Sequence, residues 1–166
     1  MSKKQFQGFT LIEILIVILV ISIATVAATL TIGNASGRDM RRQAEQLQRV
    51  LQLAAQTAMV EQVDLSIGLW RKGYAVWRFN PVDRTWNLIQ NERGFKEYDM
   101  PGVIQLSLRI NNKQVLLPTS LNTLKVPQIW FSATGEATAA EITVSGGGDL
   151  ENILVIKNNG EVTILE

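Results

Sequence analysis

The sequence has 166 residues and contains neither cysteine nor histidine, which leaves chemistry to carboxylates, amines, hydroxyls and aromatic rings. That excludes disulfides, zinc fingers, thiol nucleophiles, Ser-His-Asp triads and imidazole-held metals together. One carboxylate stands apart. Glu13 lies in an apolar run, and 24 uncharged residues separate it from Arg38. A carboxylate at the centre of a bilayer helix costs about 2.5–3.5 kcal/mol, less near the interface, and pairing reduces the cost. The acids between Asp83 and Glu97 have no spacing that fixes a catalytic pair. Asp149 and Glu151 offer oxygens for calcium, yet two acids beside a flexible turn read more simply as solvated. Gly146-Gly147-Gly148 lacks the following lysine of a phosphate loop and reads as a turn. No enzyme, cofactor or metal site is expected.

The apolar run is what must position Glu13. From Phe9 to Ile32, 18 of 24 residues are hydrophobic. A helix needs about 20 such residues to cross a bilayer at 1.5 Å per residue, so this run is long enough. A soluble core helix of this purity would need a larger protein around it. Three readings fit residues 1–37. An ordinary secretory signal matches the basic start at Lys3-Lys4 and a small-residue site at Val26-Ala27-Ala28, but has a shorter apolar stretch. A plain anchor explains the length and leaves Glu13 near the headgroups. The third reading uses the order of residues.

Lys3-Lys4-Gln5-Phe6-Gln7-Gly8 is followed by Phe9-Thr10-Leu11-Ile12-Glu13 and then Ile14-Leu15-Ile16-Val17. This closely resembles the class III signal of type IV prepilins and type II secretion pseudopilins. The resemblance implies cleavage between Gly8 and Phe9 by a prepilin peptidase, which also N-methylates Phe9. Physical reasoning agrees with it. Gly8 lets the backbone lie extended against a protease. Cleavage would create an amine at Phe9 with which Glu13 can pair; the resemblance implies that pairing between neighbouring subunits of a stacked filament, and the lower cost of a paired carboxylate agrees with it.

Beyond the run, Ala44, Leu47, Leu51, Ala54, Ala55, Ala58 and Met59 recur at helical intervals, with polar residues mostly between them. Gly33 and Gly37 mark a flexible joint, a small-xxx-small contact face or a frayed boundary. No proline precedes Pro81, so one helix from near Phe9 to about Val60 is allowed; many pilins carry a kinking proline here. After Gln62 the period becomes two, and Val63–Leu69 reads as a half-buried strand returning through Lys72-Gly73 into Tyr74–Phe79. Ile104–Ile110 turns at Asn111-Asn112 into Lys113–Leu117. A loop from Pro118 to Pro127 leads to Ile129–Phe131. Ala140–Ser145, Asn152–Lys157 and Glu161–Leu165 follow, joined by Gly and Asn turns. The fold class is α+β, a long N-terminal helix packed on an antiparallel sheet or two-sheet sandwich.

Several stretches narrow the resemblance. They are Gly73–Phe79, Trp86-Asn87-Leu88, the Met100-Pro101-Gly102-Val103 corner, Ile129–Glu136 and Gly160-Glu161-Val162-Thr163. In order and spacing they resemble H-type minor pseudopilins of type II secretion (GspH), within a broader family that includes FimT and FimU minor pilins. Some FimT-like pilins take up DNA through basic residues near the C-terminus. From Val126 onward this chain has one base, Lys157, against six acids, so no nucleic acid is expected. Arg38, Arg41 and Arg42 cluster just past the apolar run, where lipid headgroups are the expected contact. Seven of eleven aromatics lie from Trp70 to Tyr98; they fit a sandwich core or a partner surface, with Trp86 and Phe95 as candidates for the latter.

The expected organisation is a cleaved leader at 1–8, a transmembrane and filament-core helix at 9–32, its amphipathic continuation at 33–62 and a periplasmic β domain at 63–166. The resemblance implies a minor pseudopilin in the inner membrane, crossing once, that helps export folded proteins across the outer membrane. It implies as partners the minor I, J and K and major G pseudopilins, the prepilin peptidase, the secretion platform and the bilayer. A minor pilin of a type IV pilus is the alternative within the family. A membrane-anchored binding or enzymatic domain is the alternative outside it.

Overall fold

A computed structural model describes residues 11–92, 94–146 and 151–165, the side chains of 23–36 excepted. Helix α1 runs Leu11–Glu61, and its backbone is helical through Gly33 and Gly37. The chain divides into two compact units, Met1–Ser36 and Gly37–Glu166.

In the second unit, α1 buries Met40, Ala44, Leu47, Leu51, Ala54, Ala55 and Ala58. The four alanines are short enough to bring the helix backbone close to its neighbours, and the leucines fill the space between. The helix ends where Gln62 turns left-handed, at φ 55°. Val63 N–H then donates to the Ala58 carbonyl at 3.1 Å, the wider bond of a Schellman cap. Glutamine holds the place usually given to glycine, and its Nε2 donates to the Met59 carbonyl at 2.7 Å.

The strands are β1 (Leu65–Trp70), β2 (Gly73–Asn80), β3 (Thr85–Leu88), β4 (Tyr98–Asp99), β5 (Gln105–Ile110), β6 (Lys113–Val115), β7 (Ile129–Phe131), β8 (Ala140–Ser145), β9 (Glu151–Ile156) and β10 (Val162–Leu165). Among the described residues they make two antiparallel sheets. One has the order β3-β2-β1-β7 with β4 also paired to β2, the other β10-β9-β8-β5-β6. The buried face of α1 and the inner faces of both sheets form one apolar cluster, from Leu47 and Leu51 to Ile67, Val76, Ile142 and Leu154. This is the expected α+β architecture.

Strand β1 departs from expectation, because all six of its residues are buried. Leu65, Ile67 and Leu69 join the helix cluster, while Trp70 on the other face joins Ala75 and Trp77 in a second one. Leu121 and Leu124, from the loop between Pro118 and Pro127, pack against that second cluster, with Trp86 and Leu88 at its margin. The loop is therefore a cover, tightened by a 3-10 turn at Leu121–Thr123. A Cβ on Gly68 would run into the Leu124 side chain and the Trp77 ring. Gly68→Ala is expected to cost about 1–3 kcal/mol through overpacking, read as a lower denaturant midpoint. An unchanged midpoint would mean that the loop yields freely.

Gly73 is also not the turn residue expected. It pairs with Trp70 inside the hairpin, so Arg71-Lys72 makes the turn. A Cβ on Gly73 would meet the Tyr98 carbonyl and the Trp70 ring. Asn111-Asn112, with φ 51° and 61°, forms the left-handed two-residue turn that joins Ile110 to Lys113.

Polar groups tie the helix to the sheets. Gln48 and Gln52 both donate to the Val162 carbonyl, at 3.2 and 3.3 Å. The Tyr98 hydroxyl donates to Gln43 at 2.8 Å, and Gln46 donates to the Tyr74 hydroxyl at 3.3 Å. Burial of Tyr74 pushes its hydroxyl up to about 12 from 10.0, against the opposing pull of the Gln46 hydrogen bond. Its folded value exceeds its unfolded one, so the associated stability is complete below pH 10 and is lost as pH rises toward 12. The loss amounts to up to about 3 kcal/mol. Tyr74→Phe is expected to flatten this part of the alkaline unfolding profile; an equally steep decline would contradict the assignment.

Candidate functional site

The sequence places chemistry first at Gly8, Phe9 and Glu13. Gly8 and Phe9 lie outside the described residues. Glu13 stands in the first turn of α1 as described, and it is exposed. Around it the helix is apolar on every side. Leu11, Ile12 and each residue from Ile14 to Ile21 are at least 50% exposed. A helix apolar all round needs lipid or other protein as its surroundings. Among the described residues no helix is long and apolar enough to cross a membrane. The described side chains of the run extend only to Ser22, about 18 Å of helix against a hydrocarbon thickness near 30 Å.

In the second unit, the aromatic cluster divides three ways. Tyr74 and Phe95 are buried in the helix cluster, and Tyr98 packs against it with its ring centroid 5.4 Å from that of Tyr74. Trp70 and Trp77 are buried on the opposite sheet face. Phe79 and Trp86 pair across β2 and β3 with centroids 5.2 Å apart. The expectation of a partner surface at Phe95 is therefore corrected. Its backbone exchanges hydrogen bonds with Glu92 in a tight turn, and its ring goes to the core at 2% exposure. Trp86 is half-buried at the rim of the second cluster. Trp130, at 37% exposure, is the exposed tryptophan that the sequence did not single out. Its signal was its middle position in Ile129-Trp130-Phe131, which alternation places on the outer face.

Several other acids tie the fold together. Arg78 bonds Glu61 at the end of α1 and Glu92, both at 3.4 Å, joining the helix terminus to the loop after β3. The Asn80 amide donates to Asp83 at 2.8 Å within the β2–β3 turn. Asp64 accepts from the Ala133 N–H at 3.0 Å. Among the described residues, no three metal-ligating side chains converge. Asp149, half of the weighed calcium pair, lies outside the described residues. What the arrangement provides is a compact two-sheet unit together with a helix whose described N-terminal part is apolar and carries one acid.

Comparisons with known proteins fit this anatomy. The prokaryotic N-terminal methylation motif matches residues 3–29, and the family described as type II transport protein GspH matches residues 43–160. The chain belongs to the GspH family. Its sequence is similar to type II secretion system protein H of Pseudomonas aeruginosa, 22% identical over 164 residues, with 95% of this chain and 93% of the relative covered. It is also similar to the protein of that name from Aeromonas hydrophila, 23% identical over 111 residues, with 66% of this chain covered. That alignment spans 61% of the Aeromonas relative's length. The fold is similar to the crystal structure of the minor pseudopilin EpsH of Vibrio cholerae. The TM-score is 0.65 at 16% identity, over 77% of this chain and 94% of that one. The solution structure of E. coli GspH gives 0.58 at 14% identity, over 78% and 89%. As a GspH-family protein the chain has the role of a minor pseudopilin in type II secretion, a structural component of that machinery. Family and methylation motif together imply a membrane-anchored protein of the periplasmic pseudopilus.

Proposed function

We propose that this chain enters the pseudopilus through its N-terminal helix and contributes by assembly, not catalysis, to the export of folded proteins across an outer membrane. The apolar run at 9–32 holds the precursor in the inner membrane as a single span, with the β domain in the periplasm. A prepilin peptidase removes residues 1–8 and methylates the new amine of Phe9. Glu13 of one subunit then pairs with the Phe9 amine of its neighbour, which removes the penalty of a lone carboxylate in an apolar bundle. The neighbours are the minor I, J and K pseudopilins and the major G type, working on the inner-membrane platform.

The observation that carries this reading is the exposed apolar surface from Leu11 to Ile21, interrupted by a single acid and leading into a helix packed in a two-sheet domain. Such a surface calls for lipid first and other helices later. Deletion of the gene tests the role. Loss of exoprotein secretion with twitching motility intact is expected. Loss of twitching with secretion intact would assign the chain to a type IV pilus instead.

A further inference from the structure

Arg38, Arg41, Arg42 and Arg49 are exposed on α1. At 100° per residue they fall on one face, opposite the buried stripe of Met40, Ala44, Leu47 and Leu51. Two acids accompany them: Arg41 pairs with Glu45 at 3.2 Å and Arg42 with Asp39 at 3.5 Å. Residues 37–49 thus hold four bases and two acids, while residues 50–166 hold ten bases and twelve acids. Along the sequence, the entry segment of the second unit therefore carries +2 and the residues after it −2. A polar groove of about 540 Å³ opens beside the arginine face, lined by Arg41, Gln48, Arg49, Asn152 and Thr163 and also by the carboxylate of Glu45.

Chain length restricts what this basic face can meet. Arg38 follows Ile32 by six residues, so it lies within about 20 Å of the end of the apolar run in any conformation. We propose that the arginine face of residues 38–49 docks on anionic phospholipid headgroups of the bilayer that holds the apolar run. It would hold the β domain at the membrane surface before assembly. The occupant follows from charge complementarity and tether length: a positive face on a near-neutral chain, held close to a surface that carries phosphates. Guanidinium groups bind phosphate oxygens in pairs, and anionic leaflets attract bases within a Debye length. The inference rests on the membrane reading above.

The experiment uses the full chain in nanodiscs of equal phosphatidylglycerol and phosphatidylcholine, with native mass spectrometry counting the lipids retained on the released protein. A several-fold excess of phosphatidylglycerol is expected, falling to parity in the exposed-residue variant Arg38→Gln/Arg41→Gln/Arg42→Gln. The control Arg71→Gln/Arg84→Gln/Arg109→Gln removes equal charge elsewhere and is expected to keep the excess. Inorganic phosphate at 10 mM leaves the excess unchanged if the site takes lipid; its loss would show a free-phosphate site and overturn the proposal. Parity in the parent chain, an excess that survives the first triple variant, or equal loss in the control would also overturn it. A dimer that the first triple variant abolishes would assign the face to a second copy instead. Failure of the chain to enter discs at all would remove the membrane reading itself, a result distinct from parity.

Discussion

A Glu13→Ala chain is expected to be cleaved normally and to fail in assembly. The proposed cleavage falls between Gly8 and Phe9, and Glu13 lies four residues beyond Phe9, so the substitution leaves the leader sequence intact. Assembly differs because the proposed partner of Glu13 is a cationic amine brought into an apolar bundle. Removing one member of a buried pair leaves the other uncompensated and costs about 3–5 kcal/mol. At tenfold per 1.4 kcal/mol, incorporation should fall by at least about 100-fold. Glu13→Gln keeps the size and removes the charge, so it should behave like the alanine variant. The measurement is the fraction of the chain recovered with sheared filaments. Recovery of either variant within about threefold of the parent would remove charge pairing from the account.

The second large effect is in the core. Leu51 is fully buried on the α1 face that packs in the main cluster. Leu51→Ala removes apolar contacts and leaves a cavity that a two-sheet domain closes poorly, at a cost of about 2–5 kcal/mol. For a unit of this size the thermal midpoint should drop by roughly 10 °C. Val60→Ala, one residue from the end of the same helix and 83% exposed, should stay within about 0.5 kcal/mol. Equal effects at the two positions would contradict the placement of the helix face.

The elements with strong local signals were legible in the sequence. The buried stripe of α1 follows the 3.6-residue period, and the hairpins around Asn111-Asn112 and Asn158-Asn159-Gly160 follow turn chemistry. What was missed depends on distant partners. Strands β3 and β4 are short and take their identity from pairing with β2. Gly68 looks like a strand glycine of no consequence until Trp77 and Leu124 close over it. Gln128 acts as a strand residue through its side chain, accepting from Leu69 N–H at 2.8 Å and donating to its carbonyl at 3.1 Å. Composition alone cannot announce such mimicry. Phe95 and Trp86 look alike as aromatics flanking a loop, and only the tight turn at Glu92 sends Phe95 inward. At the N-terminus the residue order carried the methylation motif, which matches residues 3–29, whereas the GspH family matches residues 43–160.

The most direct test of the account is the mass and N-terminal sequence of the mature chain recovered from cells. A chain that begins at N-methylated Phe9 is predicted, with Lys3 and Lys4 gone and Glu13 now at the fifth position. A mature chain beginning at Met1, or near Thr29 after ordinary signal cleavage, would contradict it.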